Sequence, residues 1–409
     1  MAFVSLFESR AKLTPLDLVN FFLADVRGGL GAYLNIYLLT AAKWSPAAIG
    51  AVLAASGLTG VLAHPAVGAL IDRTRTKRAL IIGGGFILSA CGLFIMWMPT
   101  LPVVLAADLS MAILGGVFAP TIAAITLGVC DKEHLAARLG RNAVFDRAGN
   151  IFIAGVIWLV GMLSTQAAPF FLAPAFALLT AVATLSIPVG AIDYRRARGL
   201  TGKRGEKPSG WRLLLARRPL VVFAAATALF HFANSTMLLL LLQELALAYP
   251  GWETSLTSAA LMISQLATAA AALLVTRADA IGRRPLLLMS IAALFLQGFL
   301  CMLSIHPISL LAVQVLDGAG GGLFDALLPL ILADLVKGTG RYSLARGVLG
   351  TIQGIGGAAS QLATGLIVTA AGYPLAFLTL IAGALAAFVL VFLALPETAP
   401  ARRDNSPLS

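Results

Sequence analysis

Twelve long apolar runs, separated by short breaks rich in charge, Pro or Gly, dominate this chain of 409 residues. A helix satisfies its own backbone in lipid and needs about 20 mostly apolar residues to cross the hydrocarbon. The runs read as spans at 16–40, 47–70, 79–98, 102–129, 143–163 and 169–190, then at 219–244, 254–276, 285–304, 308–334, 345–370 and 374–395. Composition agrees: 11% of residues are charged, where a soluble domain carries about a quarter. The expected fold class is all-α, a polytopic membrane protein with twelve transmembrane helices.

The net charge of +11 does not point to nucleic acid. Its cations sit in short clusters between apolar runs, without interleaved aromatics or a recognition module. Basic loops of this kind set topology, because cytoplasmic loops collect Lys and Arg. With the N-terminus inside, the inner loops hold Arg73, Arg75, Lys77, Arg78, Arg138, Arg277, Arg283, Arg284 and Arg341, and the opposite loops hold only Lys43. Both termini are therefore expected to be cytoplasmic, in a bacterial inner membrane. Residues 1–190 form a first six-helix unit, 191–218 a basic linker, 219–395 a second six-helix unit and 396–409 a tail. No cleaved leader is expected. Cys91, Cys130 and Cys301 lack paired spacing and read as packed free thiols.

The two units look like copies. Gly68 to Leu80 reads GALIDRTRTKRAL, and Arg277 to Leu287 reads RADAIGRRPLL. Laying Asp72 on Asp279 also aligns Lys77 with Arg284 and Leu80 with Leu287. At nearly the same offset, GGVF at Gly115–Phe118 matches GGLF at Gly321–Phe324. Two six-helix halves in parallel register follow, an arrangement found in one large class of transporters.

On these residues the chain resembles the major facilitator superfamily along essentially its whole length. The family's loop between the second and third spans reads roughly G-x-L-A-D-R-x-G-R-K. Gly68, Leu70, Asp72, Arg73 and Lys77 match it, whereas Ile71, Arg75 and Thr76 depart from it; the second copy restores Gly282 and Arg283 but has Ala280 where an Arg is usual. The resemblance implies a conformational latch built from Gly68, Asp72, Arg73, Lys77, Asp279, Gly282, Arg283 and Arg284. Its receiver is expected near Ser343–Gly347, beside Arg346. Segments such as LGRNAVFDRAGN at Leu139–Asn150 are similar to those of bacterial permeases and efflux carriers. The fifth span, however, lacks the Gly-Pro signature of drug/proton antiporters around Gly155 and Gly161.

An ionisable group at mid-bilayer costs at least about 2.5–3.5 kcal/mol, so each one calls for a partner, water or a function. Spans one, four, seven and ten line the central cavity in the family, as the resemblance implies. They carry Asp25 and Arg27, Asp108, His231 and Asn234, and Asp317 and Asp325. Asp325, Asp25 and Asp317 are the proton-coupling candidates. Arg27, Asp108, His231 and Asn234 are the substrate-cavity candidates. Asp25 and Arg27 lie about 200 degrees apart on a regular helix. Arg27 is thus assigned to the cavity as an anion anchor and Asp25 to a pair with Arg147, the alternative being one structural cluster of Asp25, Arg27, Asp146 and Arg147. Asp317 and Asp325 differ by about 80 degrees and roughly 12 Å of rise.

GIGGAA in the eleventh span satisfies a dinucleotide-type glycine pattern, but no strand precedes it, so it reads as close helix packing. No P-loop, metal-ligand spacing or nucleophile elbow occurs, and neither cofactor, metal nor enzymatic activity is expected. The expected function is alternating-access transport of a small organic compound by a monomer, as export in exchange for protons. The alternative is uptake of an organic anion with protons, Arg27 holding the carboxylate. Membrane lipids, protons and the solute are the expected partners.

Overall fold

The computed structural model describes residues 13–28, 30–74, 76–130, 134–163, 166–188, 217–303, 306–337, 339 and 342–399, and these contain fourteen α-helices and no strand. The first half comprises α1 (Pro15–Gly28), α2 (Leu30–Thr40), α3 (Pro46–Arg73), α4 (Lys77–Trp97), α5 (Leu101–Val129), α6 (Leu135–Leu163) and α7 (Ala168–Leu185). The second comprises α8 (Arg218–Ala248), α9 (Glu253–Val275), the short α10 (Ala278–Ile281), α11 (Arg283–Leu303), α12 (Pro307–Leu335), α13 (Tyr342–Ala371) and α14 (Tyr373–Ala394). Eleven of these helices are long and apolar enough to cross a membrane.

Two differences from the expected spans concern the polar site. The first span is two shorter helices, α1 and α2, which meet at the glycine-rich stretch around Gly28. The fifth begins at Leu135 rather than near 143, so the polar segment Leu139–Asn150 is helical and enters the bundle. The linker lies outside the described residues apart from Arg217 and Arg218, as does the tail beyond Ala399.

Helix ends follow local chemistry. Ser45 accepts a hydrogen bond from Ala48 N at 3.2 Å and precedes Pro46, which starts α3 without needing an amide donor. Gly282 at φ +102° and Gly372 at φ +85° make the sharp breaks before α11 and α14, a conformation that side chains disfavour. Inside the bundle, hydroxyls bond to their own helix: Ser89 to Gly85 O at 2.9 Å, Thr121 to Val117 O at 2.6 Å and Thr227 to Phe223 O at 2.8 Å. Each half has its own core, around Phe118 and Phe170 in the first and around Phe223, Phe324 and Phe377 in the second. Because the helices alternate in direction, their ends divide into a proximal set, near the termini, and a distal set.

Candidate functional site

The halves join at the distal end. Tyr33 and Ser258 share a hydrogen bond of 2.8 Å between α2 and α9. Gln243 Nε2 donates to Asn35 Oδ1 at 2.6 Å, and Gln243 Oε1 accepts from the Tyr373 hydroxyl at 3.2 Å. Gln166 accepts from Thr40 at 2.8 Å and donates to Glu253 at 2.9 Å, and Ala47 N donates to Thr369 Oγ1 at 3.0 Å. Beneath these bonds α3 and α13 pack backbone against backbone. A Cβ on Gly50 would overlap the Gln361 carbonyl, one on Gly365 would stand 2.5 Å from the Pro46 carbonyl, and one on Gly354 would overlap Val61. Toward the proximal end that approach is lost. A Cβ on Gly68 or Gly347 would meet nothing within 4 Å.

At mid-depth the seam becomes polar. Arg147 stands about 18 Å along α6 from its proximal end and donates across the seam to Gln265 of α9. Asp325 of α12 is exposed and feels the charges of both Arg147 and Arg346. Arg346 Nη1 donates to Gln353 Oε1 at 3.2 Å, and Gln353 Nε2 lies 2.7 Å from His231 Nε2 of α8. A guanidinium can only donate, so it fixes the glutamine amide with its nitrogen toward His231. His231 Nε2 is then the acceptor, and the ring proton sits on Nδ1. Phe324, stacked on Phe230 at 3.8 Å, holds the imidazole edge-on at 5.6 Å. Asn234 follows His231 on α8 beside Gly321 of α12, and its Oδ1 is buried without a hydrogen-bond partner among the described residues.

Asp325, His231 and Asn234, singled out from the sequence, thus lie on the facing helices α8 and α12 of the second half, with His231 tied through Gln353 to Arg346. Asp108 and Asp317 do not join them. Asp108 is only 8% exposed and accepts from Ser56, linking α5 to α3. Asp317 accepts from Ser264 at 2.8 Å and Gln297 at 3.2 Å, tying α12 to α9 and α11. The side chains of Asp25 and Arg27 lie outside the described residues, and so does the proposed pair of Asp25 with Arg147. Arg147, Arg346, Gln265 and Gln353 were not among the residues chosen for the cavity. A start near 143 for the fifth span put Arg147 at a helix edge, and Arg346 read as part of a loop-side receiver.

The Major Facilitator Superfamily family model matches residues 16–277 and 224–409. The chain belongs to this superfamily. Over 387 residues this facilitator is 42% identical to uncharacterized MFS-type transporters from two strains of Mycobacterium tuberculosis, covering 94% of its own length and 93% of theirs. Solved structures share its fold. A point variant of the nucleoside transporter NupG gives a TM-score of 0.78 at 15% identity, covering 93% of this chain and 99% of that one. A bacterial homolog of the human lysosomal transporter Spinster gives 0.70 at 12% identity, covering 93% and 95%.

Proximal polar networks hold each half of this facilitator together. Asp17, fully buried, accepts from Arg138 at 2.6 Å and from Arg141 at 2.7 Å, and Arg138 also donates to Asn142 at 2.9 Å. In the second half Arg283 pairs with Asp279 at 2.9 Å and with Asp334, while Glu397 accepts from Arg283 N at 2.9 Å. In the first loop copy Lys77, 1% exposed, donates to Ile71 O at 2.9 Å and so caps the end of α3. The side chains of Asp72 and Arg73 lie outside the described residues.

Proposed function

We propose that this facilitator moves a small organic compound by alternating access, with protons as the coupling ion and Asp325 as the residue that carries the proton. The observation behind this reading is one exposed carboxylate on α12 at mid-depth, within the electrostatic influence of Arg147 from the first half and of Arg346 from its own half. A carboxylate so placed can exchange its proton with the cavity, and its charge biases how the cation of the other half approaches. The sealed distal end and the open positions at Gly68 and Gly347 fit a cavity that opens on the proximal face. With the basic loops on that face, it is the cytoplasmic side of a bacterial inner membrane. A monomer suffices, because both walls of the seam come from one chain.

The test is transport in proteoliposomes across a compound panel, with proton movement followed by an internal pH dye, for the parent, Asp325→Asn and Asp25→Asn. An imposed proton gradient drives solute out of the loaded vesicle under exchange and into it under co-transport. Asp325→Asn is expected to abolish gradient-driven accumulation while sparing downhill flux. Full pH-coupled accumulation in that variant sinks the assignment.

A further inference from the structure

Asp317 sits about 15 Å from the distal end of the membrane-spanning helix α12. Its carboxylate takes two hydrogen bonds, from Ser264 Oγ of α9 to Oδ2 at 2.8 Å and from Gln297 Nε2 of α11 to Oδ1 at 3.2 Å. Both donors are neutral, so neither offsets the charge. The helices packed against α12 are α8, α9, α11 and α13, and their cations are engaged elsewhere. α9 has no Lys, Arg or His. Those of α11 are Arg283 and Arg284 at its proximal start, about 20 Å from Gln297. α8 brings Arg218 at its proximal end and His231, which meets Phe324 two turns along α12, while Arg346 of α13 donates to Gln353. From the first half, Arg147 ends on Gln265. The side chains of Asp25 and Arg27 lie outside the described residues, and their helix α1 packs on α4, α5, α6 and α7 of its own half. A carboxylate at this depth calls for a counter-charge, and the described neighbours do not supply one.

Two glutamines add unused oxygens. Gln297 and Gln314 have no exposed surface. Gln297 Oε1 has no hydrogen-bond partner among the described residues, and neither amide atom of Gln314, one turn before Asp317 on α12, has one. A buried amide oxygen without a donor forfeits the hydrogen bond it had in water. A proton on Asp317 would remove the charge and leave both oxygens unmet, whereas a cation answers both needs. A half-turn of the Gln297 amide sets its oxygen where the nitrogen stands, 3.2 Å from Asp317 Oδ1, a spacing at which both oxygens can touch one ion. Oxygen donors suit a hard cation, and a single carboxylate balances a single positive charge. The frame is tight, since a Cβ on Gly318 would overlap the Ser264 carbonyl. We propose that a sodium ion binds at the junction of α9, α11 and α12, held by the Asp317 carboxylate and by the side-chain oxygens of Gln297 and Gln314. Such an ion ties α12 to its neighbours within the second half. The site is separate from Asp325 and does not rest on the transport reading.

The experiment follows melting of the purified full-length chain in detergent at mildly alkaline pH, in sodium chloride and in choline chloride of equal ionic strength. The parent is expected to melt at a higher temperature in sodium, with a rise that saturates as sodium increases. Asp317→Asn is expected to lose that rise while melting in choline no lower than the parent, which shows that its fold survives. Gln297→Leu and Gln314→Leu are each expected to shift the sodium concentration for half the rise upward at least about tenfold. Asp325→Asn is expected to keep the full response. Equal melting of the parent in sodium and choline means that a proton neutralises Asp317, and it overturns the inference. A sodium response retained in Asp317→Asn, or lost only in Asp325→Asn, places the ion elsewhere and overturns it too.

Discussion

Asp17 lies at the start of α1 with no exposed surface, and its carboxylate takes hydrogen bonds from both Arg138 and Arg141 of α6. Removing one member of a buried pair strands the other charges. Asp17→Asn is therefore expected to cost roughly 3 kcal/mol, read as a lower melting temperature in detergent; an unchanged melt would mean that solvent already screens the two arginines. Glu397 behaves differently because it sits outside the membrane. Burial works against its ionisation, but the backbone N–H groups of Ala399, Arg283, Arg284 and Thr398 donate to the carboxylate and hold it below the usual glutamate range. With its folded value depressed, Glu397 anchors the tail fully above the unfolded value of about 4.3. The anchor is lost as pH falls through the lower, folded value. A nitroxide on Ala399→Cys should be immobile near neutrality and loosen only in strong acid. In Glu397→Gln it should be mobile throughout, and equal immobility there would count against the anchor.

Among the elements, α3 and α13 carry the closest approach between the halves, made possible by Gly50 and Gly365. Alanine at Gly50 would push its Cβ into the Gln361 carbonyl, a backbone atom that cannot rotate away. Overpacking of this kind costs about 1–3 kcal/mol, and it falls only on the state with a sealed distal end. Gly50→Ala should therefore shift the balance about 5- to 150-fold toward distal opening, seen as longer distances between spin labels at positions 43 and 251. Element-level features were largely legible in the sequence, because apolar run length dictates spans in lipid. The exceptions have local causes. The first run divides into a helix that ends at Gly28 and one that begins at Leu30, a break that hydropathy does not register. The polar start of the fifth helix, residues 135–142, does not read as part of the span, yet Arg138 and Arg141 are met inside the protein by Asp17. Of the proposed site, Asp325, His231 and Asn234 could be picked out from the sequence, since each is a polar group in an apolar run. Arg346 and Gln353 could not, because their seven-residue separation on one helix face matters only once His231 is known to lie opposite.

For the whole molecule, duplication does not mean equal use. The second copy of the charged loop is bound within its own half: Arg283 holds Asp279 and Asp334, Glu397 takes backbone donors at the start of α11, and Arg284 donates to the Phe392 carbonyl. The first copy has no tail residue in Glu397's role among the described residues. Its Lys77 caps α3, and across the seam the start of α13 stands clear, with open space beside Gly347. A latch between Asp72 and that helix start would then close only when the proximal ends approach, where the amide dipoles of α13 favour a carboxylate. Asp72→Asn should weaken the proximally closed state and leave the state described here untouched. Labelling of single cysteines on each face should show proximal positions more reactive and distal ones less reactive than in the parent. Asp279→Asn is the contrast, because that carboxylate is 76% exposed and Arg283 retains Asp334. It should leave the balance within about twofold of the parent. Equal reactivity of both faces in Asp72→Asn and the parent would assign the first copy to topology alone.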